Sequence, residues 1–150
     1  MRCRRRDESG SAVVELVWLG VLLLIPLVYI VVSVFRVQAG AFAADTAARS
    51  AARAYALAPT DAAGERAART AAQLAFADQG HADTPVQVRI TCTPFPQHCH
   101  AGTSVITVRI TSRLGLPLAP AVFGGQPPGV DVRATHTVPI GQFQETSGVR

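Results

Sequence analysis

Seventeen consecutive uncharged residues, Leu16 to Val32, limit what this chain can fold into more than any other feature. Ala12, Val13 and Val14 lead into them. A helix over 12–35 would be roughly 36 Å long at about 1.5 Å per residue, enough to cross a bilayer core of about 30 Å. Pro26 lies mid-span and removes one backbone hydrogen bond, which predicts a kink of the kind membrane helices tolerate. Arg2, Arg4, Arg5 and Arg6 precede the span, and Arg36 immediately follows it. The positive-inside rule then predicts a single-pass protein of the cytoplasmic (inner) membrane, with its N-terminus cytoplasmic and residues 37–150 outside.

A secretory leader is the rival reading, because Ala39-Gly40-Ala41 and Ala41-Phe42-Ala43 both resemble small-residue cleavage sites. Against it, the apolar region exceeds the usual length of about 7–15 residues, and alanine is so common here that such matches arise by chance. The chain is 49% hydrophobic but only 6% aromatic, so its core is predicted to consist of small side chains. All 14 basic residues are arginines. The net charge of +4 falls to +2 without residues 1–10, which hold four arginines, Asp7 and Glu8. A basic pI of this origin gives no support to nucleic-acid binding, which needs a basic stripe on the folded part.

Glu15 is the one charged residue between Ala12 and Phe35. A capping box would need Ser or Thr three residues before it, and that position is Ala12. An interfacial glutamate reaching the headgroups beside the arginines is a second explanation, since Glu15 lies only about 6 Å of helix beyond Ser11. A third explanation uses the whole order of features: basic leader, glycine, small residues, glutamate, apolar helix. Cleavage after Gly10 would free a cationic α-amine on Ser11 and make Glu15 the fifth residue of the mature chain. An ammonium and a carboxylate are each costly in a membrane, and pairing lowers that cost. With the amine supplied by a neighbouring subunit, the pair would set the register of helix packing.

The segment "RRRDESGSAVVELVWLGVLLLIPLVYIVV" resembles the N-terminus of type IV prepilins and pseudopilins, and within them the TadE/TadG-like pilus assembly proteins of tight-adherence (Flp) systems. "AFAADTAARSAARAYA" (Ala41 to Ala56) is similar to the family's alanine-arginine helix, and "VDVRATHTVPI" (Val130 to Ile140) more loosely to a C-terminal strand. The resemblance implies cleavage by a prepilin peptidase between Gly10 and Ser11, where a small, extended residue is needed, and an assembly role for Glu15. It implies the bilayer, the peptidase, other pilus assembly proteins and other pseudopilins as partners. Ser11 departs from the phenylalanine usual in ordinary type IV pilins and fits TadE-like chains. A different class remains open: a signal-anchored binding or scaffold domain displayed on the envelope without processing.

Beyond the span, the sequence predicts an α+β organisation: a leader (1–10), a transmembrane helix (11–36), a helical stem with a second helix (37–80), a small antiparallel sheet of about three strands (81–140) and a disordered tail (141–150). Ala44, Ala48, Ala51 and Tyr55 share a stem face, suited to packing in a bundle or filament or to covering the protein's own domain. Asp45, Arg49 and Arg53 form an i, i+4 polar row. Pro59 is expected to end this helix. Asp61 is placed as cap of the second, with Ala67, Ala71 and Leu74 on one face, a Glu65–Arg69 pair and Gly80 as C-cap. Alternation by two then marks strands at Val86–Cys92, Ile106–Thr111 and Val130–Val138, with a Pro/Gly-rich connection over Leu114–Gly129.

Cys92 and Cys99 enclose "TPFPQH", and outside the membrane a disulfide is the default. A metal site built from Cys92, His98, Cys99 and His100 is the alternative, but its spacing matches no familiar zinc pattern. His81 and His136 are isolated. Without a phosphate loop or nucleophile elbow, neither an enzyme nor a cofactor is predicted. Arg89, Arg109 and Arg133 are expected to share the outer sheet face, either simply solvated or facing an anionic wall polymer.

Overall fold

In the computed structural model, which describes residues 9–116 and 128–141, the apolar run and the alanine-arginine stretch form one helix, α1 (Ser9–Ala56, 48 residues). Pro26 lies inside it without interrupting the helix. The helix starts two residues before the expected boundary, so Gly10 and Ser11 are helical, not extended. The chain divides into two units, Met1–Phe35 and Arg36–Arg150. In the first, the described side chains are almost all exposed, from Val13 to Phe35, and α1 is long and apolar enough there to cross a membrane.

In the second unit, the rest of α1 joins α2 (Asp61–Asp78) and three strands: β1 (Val86–Thr93), β2 (Val105–Gly115) and β3 (Gly129–Pro139). The strands form an antiparallel meander in the order β1-β2-β3. Side chains alternate across this sheet, so the register puts Val88, Ile110 and Ala134 in one inward row and Cys92, Ile106 and Val138 in another. The α+β fold is therefore the expected one. The helical stem, however, is part of the domain: Ala43, Ala44, Ala47, Ala48, Ala51 and Ala52 are fully buried in one core cluster with Ile106, Val108 and Ile110. The alanine face covers this protein's own sheet and is closed to other subunits.

Several boundaries differ from expectation. The N-cap of α2 is Thr60, which accepts from the Ala63 N–H at 3.3 Å, while Asp61 is the first helical residue. Its buried face is Gly64, Ala68, Ala72, Ala75 and Phe76; Ala67 is only half-buried and Leu74 is exposed. The segment offers alanine on every side, so its periodicity does not select a face. The C-cap is Gln79, and Gly80 follows at φ +79°. The Gly80 N–H bonds the Ala77 carbonyl and the His81 N–H bonds the Phe76 carbonyl, the paired bonds that close a helix when glycine takes the left-handed conformation. The expected Glu65–Arg69 and Asp45–Arg49 pairs are present.

Leu114 was expected in the connecting loop but belongs to β2 and is buried. Gly40 makes room for it, because a Cβ there would run into the Leu114 side chain. Most of the Pro/Gly-rich connection, the leader before Ser9 with Cys3, and the tail after Gly141 lie outside the described residues.

Candidate functional site

Three features carry chemistry. The first is the apolar length of α1. Glu15 is exposed there, four residues after Ser11, and among the described residues it forms no hydrogen bond or ion pair. The surrounding apolar side chains are open as well: Leu16 is 72% exposed and Trp18 70%. Exposed apolar surface on this scale exceeds what a water-soluble chain leaves uncovered and requires lipid or other helices against it.

The second is a polar clasp in the other unit, built around the disulfide. Cys92 and Cys99 are bonded, with Cα atoms 5.3 Å apart, and both are buried. The bond fixes the β1–β2 connection and delivers the next residue, His100, to the turn between α1 and α2. His100 Nδ1 lies 2.5 Å from Asp61 Oδ1, and Nε2 lies 3.1 Å from the Tyr55 carbonyl oxygen. With Asp61 ionised, both partners are acceptors only, so the doubly protonated ring is the form that satisfies both. The Tyr55 hydroxyl donates to the same Asp61 oxygen at 3.1 Å, and its ring stacks on His100 with centroids 5.1 Å apart. Gly64 lies against the other part of that ring: a Cβ there would come within 2.9 Å of Tyr55 Cδ2.

Burial alone would raise the Asp61 carboxyl, but hydrogen bonds from His100 and Tyr55, the charge of His100 and the Cys99 backbone together hold it below its ordinary value. Burial, reinforced by Asp61, pushes the Tyr55 hydroxyl far above the usual phenol range. Because the folded-state value of Asp61 is depressed, its contribution to stability is complete above the unfolded value of about 3.9 and fades as pH falls through the lower folded value. Thermal unfolding in detergent between pH 5 and pH 2 is therefore expected to lose more stability in the native chain than in Asp61→Asn. At pH 6 the variant is expected to be the less stable of the two. Parallel pH profiles would contradict the clasp.

The clasp was not foreseen from the sequence. The sequence offers His100 as a metal ligand beside Cys92, His98 and Cys99; the two sulfurs bond each other and His100 is engaged by Asp61 and Tyr55, which dismantles that ligand set. His136 faces inward, opposite Val108, and the His81 ring meets Phe76 edge-on at 6.5 Å.

The third feature is the outer sheet face. Its cross-strand rows are Gln87-Thr111-Arg133, Arg89-Arg109-Thr135 and Thr91-Thr107-Thr137. The three arginines expected there are brought together, exposed, and form no ion pair among the described residues. Compared with protein-family models, curated proteins and solved structures, the chain matches none.

Proposed function

We propose that this chain is a TadE-like minor pseudopilin, a non-enzymatic component of a tight-adherence (Flp) type pilus assembly or secretion machine. On this reading, a prepilin peptidase cuts between Gly10 and Ser11 on the cytoplasmic side. The apolar part of α1 stays in the inner membrane, and the sheet domain lies outside it. One observation carries the reading: among the described residues, Glu15 is unpaired at the start of an otherwise uncharged and almost wholly exposed helical span. A free Ser11 amine from a neighbouring subunit supplies a partner for it that the described residues do not. Cleavage must unwind the first turn of α1, where Gly10 lies; terminal turns fray readily, and glycine adds no side chain to obstruct the protease.

The reading as an unprocessed, signal-anchored scaffold domain draws support from two observations: the helical state of Gly10 and Ser11, and the burial of the alanine face within the chain's own core. N-terminal mass spectrometry of the protein from its native host separates the two. A mature chain starting at Ser11, with Gly10→Leu left at full length, is expected for the pseudopilin. A native chain starting at Met1 would establish the scaffold reading instead. Glu15→Ala is then expected to be cleaved and inserted normally but to recover fewer pilus components in a pull-down. An unpaired buried charge left by removing its partner costs about 3–5 kcal/mol, enough to open a weak subunit contact. Equal recovery would leave Glu15 as an interfacial residue with no role in assembly.

A further inference from the structure

Arg89 and Arg109 are directly opposite each other on neighbouring strands, both exposed. Like charges in that position destabilise a sheet. Arg133 adds a third positive charge one row away, opposite Thr111, on the far side of β2 from β1. Cross-strand diagonals of about 7–8 Å are within reach of long side chains, so the three guanidinium groups can converge. The one acidic side chain in the described outward rows, Asp131, is opposite Arg113, another row away. Asp131 is also two residues from Arg133 along β3, but among the described residues it forms no ion pair with either arginine, so one carboxylate faces four guanidinium groups on this side of the sheet.

These three arginines line a depression of about 570 Å³, together with Gln87, Thr111, Thr135 and one apolar residue, Val88. Its chemistry narrows the occupant. Guanidinium groups bind phosphate or carboxylate oxygens in paired, charge-assisted hydrogen bonds. The threonine hydroxyls and the Gln87 amide both donate and accept, which suits hydroxyl groups flanking an anion. The lining has no aromatic side chain on which a nucleic-acid base would stack. Nor does it have the apolar face with which a surface helix enters a bilayer.

We propose that this face binds an anionic polymer of polyol or sugar phosphate units, with Arg89, Arg109 and Arg133 on one phosphate and Gln87, Thr111 and Thr135 on the neighbouring hydroxyls. The site lies wholly within the Arg36–Arg150 unit and does not depend on the pilus reading. The ligand supplies the negative charge that the sheet lacks, so the unliganded face is held at a cost to stability.

The test uses the full chain in zwitterionic nanodiscs with three probes: poly(glycerol phosphate), single-stranded DNA matched in charge, and phosphatidylglycerol vesicles. The glycerol phosphate polymer is expected to bind most tightly. Arg109→Gln should weaken it about tenfold or more, as for loss of a charge-assisted contact. Arg113→Gln makes the same change in net charge on the same face and should stay within about twofold. Without polymer, Arg109→Gln should raise the Tm of the domain by roughly 1–5 °C, because it removes the opposed pair. Equal weakening by Arg113→Gln, DNA or vesicles binding as tightly as the polymer, no polymer binding by the native chain, or a fall in Tm for Arg109→Gln would each overturn the proposal.

Discussion

Tyr55→Ala is expected to destabilise the Arg36–Arg150 unit by about 3–5 kcal/mol, the range for emptying a buried aromatic position. The ring is 2% exposed, with Gly64 against its edge and the His100 imidazole on its face. Glycine cannot fill the space that the ring would leave, and His100 would lose its stacking partner. Tyr55→Phe separates the two contributions, because it keeps the ring and removes only the bond to Asp61. Its expected cost is about 1.5–3 kcal/mol, the net value of a hydrogen bond to a charged acceptor, with the lower end favoured by the partial exposure of Asp61. Denaturant unfolding of both variants, followed by circular dichroism, measures the difference. Equal losses would mean that the hydroxyl, not the packed ring, holds the junction between α1 and α2.

Reduction of the Cys92–Cys99 bond, or its replacement by two serines, is expected to cost about 2.5 kcal/mol, from the chain entropy of the small loop it closes. The loss extends beyond the loop. His100 follows Cys99 directly, so the freed segment no longer holds the imidazole against Asp61, and the acid sensitivity attributed to Asp61 should shrink with it. His100→Ala with the disulfide intact should reproduce the second effect without the first. Unfolding midpoints with and without reductant, at pH 6 and pH 3, separate the two. An unchanged midpoint on reduction would show that the loop is held by its other contacts.

Local pattern carried most of the fold. Alternation by two placed all three strands, because their inward rows are mostly Val and Ile and their outward rows mostly Thr and Arg. The Cys92–Cys99 bond is the default expected for two cysteines this close in sequence on the outer side of a membrane span. Longer-range features were not legible. Asp61 and His100 are 39 residues apart and Tyr55 and His100 are 45 apart, and only the finished fold makes them neighbours. Gly-Leu-Pro after Leu114 reads as a turn, yet Leu114 is drawn into β2 by space that exists because a residue on another element, Gly40, has no side chain. The outer arginines could be placed on one face from the sequence, but only the register shows that two of them are opposed.

The alanine wall of α1 makes this domain unequally tolerant of change. Six fully buried alanines have almost nothing to lose to a smaller residue, so evolution can hardly carve cavities from the helix side. It can only crowd that side: each added methylene would press on a sheet whose inner residues are already packed, at about 1–3 kcal/mol for ordinary overpacking. Ile106, Val108 and Ile110 face the reverse hazard, since truncation there opens space that a rigid, side-chain-poor helix cannot close. Sequence drift in this core would therefore run in opposite directions on its two walls, with the helix confined to small residues and the sheet to large ones.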